Sequence, residues 1–278
     1  MVEVHYQKIE EIIDQQIAAG VKKATTKLPR FIILGVMAGM FISLGAQACS
    51  LVMHSISNVG LDRLAGASVF PVGLMLIIFL GGELFTSDCL ITISALSGKI
   101  SWARFARSLI LVYLSNFIGA LLIAWMINHS GQLDYSHGGL GAYTIKVAIG
   151  KVNMALGQAF ISGILCNILV CLAVFMGMSA TDIAGKCLAI FFPIFAFVVS
   201  GFEHCVANMY YIPAGIFAAA NPEYIHSAGE LFEITTEQLQ VLTWSNMFHN
   251  LLPVTAGNMI GGIVCIGFTY WFLYKKSQ

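Results

Sequence analysis

The chain has 278 residues, of which 58% are hydrophobic and only 10% charged, and its mean hydropathy is +0.83. Composition this apolar excludes an ordinary water-soluble domain and predicts an all-α protein that crosses a membrane several times. Fourteen Lys and Arg balance fourteen Asp and Glu, so net charge gives no reason to expect a nucleic-acid partner.

Residues 1–30 are polar and contain nothing that reads as a removable signal peptide. Ile9, Ile12, Ile13 and Ile17 recur at helical spacing, which predicts an amphipathic cytoplasmic helix that lies on the membrane, caps a pore or touches a neighbouring subunit. From 31 to 278 the chain reads as one transmembrane domain. Six apolar stretches, about 31–55, 66–97, 105–128, 155–177, 185–219 and 246–274, are long enough to cross about 30 Å of hydrocarbon. The second and fifth run too long for one straight span and are interrupted, by GGELFTSD (Gly81–Asp88) and SGFEHCVANM (Ser200–Met209). Irregular backbone at that depth survives only where it is buried in protein or lines a cavity, so both interruptions predict interior features.

Eleven Lys and Arg (Lys8, Lys22, Lys23, Lys27, Arg30, Lys99, Arg104, Arg107, Lys186, Lys275, Lys276) fall on one side of six spans. Only Arg63, Lys146 and Lys151 fall on the other, which predicts cytoplasmic termini. The halves, about 31–128 and 155–274, also resemble each other: FIS recurs at Phe41 and Phe160, Glu83 answers Glu203, and NFIGA at Asn116 matches NMIGG at Asn258. Three spans is an odd number, so the second copy enters from the opposite side. That predicts an inverted 3+3 repeat with broken second and fifth helices and a solute site where the breaks meet.

An intramembrane ionisable residue is by default a functional candidate, and His204 lies in a break. Glu83 and Glu203 are expected to support the breaks by bonding freed backbone N–H groups. The Thr86 and Ser87 hydroxyls either face solute or bond back to their helix. Lys151, at the outer start of the fourth span, either snorkels or draws anions into a vestibule. Asn167 and Asn258 need partners, on a solute path or as glue between helices. Phe70, Leu74, Leu84, Phe85 and Phe197 read equally as core or as hydrophobic constrictions. The seven cysteines read as small buried hydrophobes, and no metal or cofactor motif is present.

GGELFTS, SGFEHCVANM, NLLPVTAGNMIGG and FTYW occur in this order, and on them the whole chain resembles the formate/nitrite transporter family. The resemblance implies a homopentamer of aquaporin-like protomers in a bacterial cytoplasmic membrane, each conducting small monovalent anions of weak acids (formate, nitrite or hydrosulfide) together with protons. It puts His204, Thr86, Lys151, Asn167 and Asn258 on the substrate pathway, with outer constrictions at Phe70, Phe85 and Phe197 and inner ones at Leu74 and Leu84. Asp88-Cys89 departs from the family pattern after Thr86-Ser87 and bears on substrate identity. The runner-up is an aquaporin-like neutral-solute channel. It wants paired Asn-Pro-Ala turns, and the chain has only Asn221-Pro222, outside the fifth span. A haem-bearing enzyme subunit needs histidines paired across helices, and only His54 and His204 lie in or near spans.

Overall fold

The computed structural model describes residues 6–274, so Lys275 and Lys276 of the charge count lie outside it. The described residues form helices and no strand. In chain order they are α1 (Ile9–Thr25), α2 (Leu28–Met53), α3 (Val59–Val69), α4 (Val72–Leu80), α5 (Phe85–Leu96), α6 (Trp102–Asn128), α7 (Gly139–Val152), α8 (Leu156–Ser179), α9 (Ile183–Val199), α10 (Cys205–Ala218), α11 (Pro222–Phe232), α12 (Thr236–Gln240) and α13 (Trp244–Tyr274). Five stretches are long and apolar enough to cross a membrane: α2, α3 with α4 (Val59–Leu80), α6, α8 and α13. The expected fifth span divides into α9 and α10, of 17 and 14 residues, each short of a crossing by itself.

The second stretch begins at Val59 and not at 66. Asn58 caps it by accepting the Leu61 N–H at 3.0 Å, which brings the charged pair Asp62-Arg63 into the helix. Regular helix stops and resumes at two places. The chain leaves α4 at Gly81 with φ +87° and resumes helix at Phe85; it leaves α9 through Gly201 with φ +72° and resumes at Cys205.

The amphipathic face of α1 does not lie on lipid. Ile12, Ile13 and Ile17 are buried against Leu90, Ile93, Phe175 and Ile266, and Ser94 Oγ donates to the Ile17 carbonyl at 2.9 Å. The helix therefore packs beneath α5, and its last turn points Lys23 at the first interruption.

Long helices approach closely through glycine. A Cβ on Gly119 would sit 2.0 Å from the Val36 carbonyl oxygen, and one on Gly261 would sit 2.4 Å from that of Ile164, so α2 against α6 and α8 against α13 cross backbone on backbone. These contacts correct the register of the internal similarity. They pair Val36 with Ile164, whereas the FIS match would pair Val36 with Ala155, so that match is not part of the corresponding geometry.

Candidate functional site

Two cavities open at opposite ends of α2. One, of about 530 Å³, is lined by Ser50 and Met53 from its C-terminal end together with Phe70, Phe197, Glu203 and His204. The other, of about 810 Å³, is lined by Arg30 and Leu34 from its N-terminal end together with Lys23, Leu74, Glu83 and Ser87. Each cavity ends at one interruption. The cations assigned by sequence to opposite sides segregate accordingly: Arg63, Lys146 and Lys151 line the first, and Lys22, Lys23, Lys27, Arg30 and Lys186 the second.

Asparagine holds both interruptions. Asn116 Oδ1 accepts the freed N–H of Phe85 at 2.9 Å while its Nδ2 donates to the carbonyls of Gly35 and Glu83 at 2.7 and 2.8 Å. Asn258 repeats this with the N–H of Cys205 at 2.9 Å and the carbonyls of Gly163 and Glu203 at 2.8 and 3.0 Å. Gly35 and Gly163 immediately precede Val36 and Ile164, so the asparagines follow the register set by the helix crossings. An irregular buried backbone needs such partners, and one amide side chain satisfies a donor and two acceptors at once.

Sequence assigns those N–H groups to the glutamates. Asparagine occupies that position, so the carboxylates turn to lysines instead. Lys151 Nζ pairs with Glu203, which also accepts from Asn208 Nδ2 at 2.7 Å and is 1% exposed. Lys23 Nζ pairs with Glu83 at 2.8 Å and with Asp88 at 2.5 Å. Burial alone would lower the Lys23 pKa, but the two carboxylates outweigh it and hold the ammonium charged well above its ordinary range. Lys23 and Lys151 stand as far apart in sequence as Gly35 and Gly163. Lys151 lines the first cavity, with its charge already committed to Glu203.

His204 caps α10. The Ala207 N–H donates to Nδ1 at 3.1 Å, so that nitrogen keeps its lone pair and the ring proton sits on Nε2, which donates to Thr86 Oγ1 at 2.9 Å. The contact joins residues 118 positions apart and links the two interruptions directly. The Thr86 hydroxyl proton has no acceptor among the described residues, while Ser87 donates to the Leu84 carbonyl at 3.0 Å. His204 follows Glu203; in the first interruption the residue that follows Glu83 is Leu84, so the imidazole has no counterpart there.

Phe70 and Phe197 meet edge to face with centroids 5.4 Å apart, and Phe197 stacks on His204 at 6.0 Å, so aromatic rings line the first cavity beside the imidazole. Phe202, which sequence reasoning passes over, lines the same end. Leu74 lines the second cavity. Leu84 and Phe85 line neither; Phe85 packs edge to face on Tyr113 at 5.0 Å. Asn167 and Asn258 line neither cavity either, because Asn167 Nδ2 donates to the carbonyls of Thr86 and Asn258 at 3.1 and 2.6 Å.

A family model described as formate/nitrite transporter matches residues 10–272. The chain belongs to the formate/nitrite transporter family. It is similar to the formate channel FocA of Escherichia coli (strain K12), 37% identical over 94% of this chain and 92% of that one. It is 40% identical to the uncharacterized transporter YrhG of Bacillus subtilis (strain 168), over 98% of this chain and 96% of YrhG. Among solved structures it resembles a pentameric formate channel with formate bound, with TM-score 0.79 and 34% identity over 91% of this chain and 98% of that chain. With the apolar helices, this family membership makes the chain a multi-pass membrane transport protein and not an enzyme.

Proposed function

We propose that the protein is a channel for formate and related small monovalent anions of weak acids, nitrite and hydrosulfide among them, with flux linked to protons through His204. The observation that carries this reading is the His204–Thr86 hydrogen bond, buried where two cation-lined cavities end on either side of apolar constrictions. In this reading α3–α5 and α9–α10 are the broken second and fifth spans of a six-span inverted repeat with an aquaporin-like plan. Five such protomers assemble in the cytoplasmic membrane of a bacterium, with both termini in the cytoplasm. The matched positions of Lys23 with Lys151, Glu83 with Glu203 and Asn116 with Asn258 support the repeat, and the solved pentameric relative supports the assembly.

The chemistry follows from electrostatics. A bare ion in a low-dielectric constriction faces an ideal penalty of order 20 kcal/mol, still several after relaxation, so an apolar slit passes the neutral acid far more readily than its anion. An anion arriving beside Thr86 meets a hydroxyl whose proton is uncommitted. Its charge makes a cationic imidazole favourable, and the ring takes up at Nδ1 a proton from the solution on the side the anion came from, releasing the Ala207 N–H. The Nε2 proton passes to Thr86 Oγ1 as the hydroxyl proton passes to the anion, leaving neutral His204 and the neutral acid. Exchange of the remaining ring proton from Nδ1 back to Nε2 restores the start, so one proton crosses with each anion. Asn167 and Asn258 hold the backbone that presents Thr86 and His204, and the two Lys–Glu pairs brace the cavity ends.

The test is flux into proteoliposomes that contain a pH dye, under gradients of formate, nitrite, hydrosulfide and lactate. Formate should enter with lumenal acidification. Water or glycerol flux with none for any anion would instead favour the neutral-solute channel.

A further inference from the structure

The three cations of the outer cavity are not equivalent. Lys151 is neutralised by Glu203. Lys146 Nζ lies over the Phe232 ring, 4.4 Å from its centroid, and 5.7 Å from that of Tyr143. Arg63 makes no hydrogen bond or ion pair among the described residues, although Asp62 precedes it on the same helix and lines the same cavity. Its guanidinium nonetheless has a defined place. A Cβ built on Gly201 would meet Arg63 Nη1 at 2.7 Å and Cζ at 3.2 Å, so the group lies against the second interruption at Gly201, in the cavity that Phe202 and His204 also line. The positive φ of Gly201 favours glycine there, and the guanidinium occupies the space beside it.

An arginine set at the mouth of a constriction with all five N–H donors unused is a ready donor site for an anion of matching shape. We propose that Arg63 is the outer recognition residue and that it selects planar anions with two oxygen atoms, the carboxylate and nitrite class, by gripping both oxygens in parallel N–H···O bonds before the ion reaches Phe70 and Phe197. A one-centre anion such as hydrosulfide or a halide offers no second acceptor and gains only the charge. Lys151 then serves the architecture of the break, and Arg63 makes the first specific contact. This inference rests on the reading of the chain as an anion pathway and adds to it the basis of discrimination.

The experiment compares half-saturating concentrations of formate and hydrosulfide in proteoliposomes for the unaltered protein, Arg63→Lys and Arg63→Gln, with monodispersity in detergent as the folding control. Lysine keeps the charge and loses the fork, so Arg63→Lys should raise the formate value roughly tenfold while hydrosulfide stays within about twofold. Arg63→Gln should raise both. Equal losses for both anions in Arg63→Lys would mean that the residue only positions the interruption. No change for either would mean that it contributes charge alone. Each of those results overturns the proposal. Transport of neither anion by the unaltered protein is a separate outcome that would remove the functional reading itself.

Discussion

Asn258→Ala is expected to leave little folded protein to purify. The side chain satisfies the Cys205 N–H and the carbonyls of Gly163 and Glu203, all at 3.0 Å or less, and it is fully buried. Alanine strands three backbone groups at roughly 1–3 kcal/mol each, a large share of a total stability of about 5–15 kcal/mol. Asn258→Asp keeps the acceptor for Cys205 and loses both donors, so it should fall between the two. Size-exclusion profiles in detergent after graded heating would register the order Asn258, Asp, Ala. An alanine variant that survives heating like the unaltered protein would show that the interruption is held by something other than this amide.

The second large effect concerns the outer ion pair. Lys151→Ala leaves the Glu203 carboxylate 1% exposed, with only the Asn208 and Asn250 amides beside it. Removing one partner of a buried pair typically costs about 3–5 kcal/mol, mostly as the penalty on the charge left behind. Adding Glu203→Gln removes that charge and keeps an oxygen able to accept from Asn208, so the double variant should recover much of the lost stability. A residue whose work is to attract anions behaves differently. Its loss would reduce flux at unchanged thermal stability, and the second substitution would restore nothing. Thermal unfolding of the two single variants and the double variant separates these cases.

Much of this is legible in the sequence, and the failures share a physical cause. Gly81 and Gly201 announce the interruptions because apolar helices at membrane depth do not otherwise carry glycine beside glutamate. His204 and Thr86 stand out separately in sequence, and the structure brings them to 2.9 Å. Lys23 escapes notice because a lysine in a basic amphipathic segment reads as a cytoplasmic surface charge. Its relation to Lys151 follows from the register that also links Gly35 to Gly163, which the fortuitous FIS match hides. The direction of the glutamates is misjudged because sequence shows that a freed N–H needs an acceptor but not which of several nearby side chains reaches it. Asn116 and Asn258, on neighbouring helices, reach it first. Phe85 illustrates a further limit: as the first residue after an interruption it takes its direction from the preceding irregular backbone, which periodicity does not describe, and its packing against Tyr113 is visible only in three dimensions.

The most direct test of the proton-linked reading is formate flux into dye-loaded proteoliposomes carrying His204→Asn. Asparagine is a good helix cap and can still accept from the Ala207 N–H, so the fold should be retained, but it does not titrate. The account predicts that lumenal acidification and the pH dependence of formate flux both disappear in this variant. Acidification per formate equal to that of the unaltered protein would contradict it, because the proton would then be crossing without the imidazole.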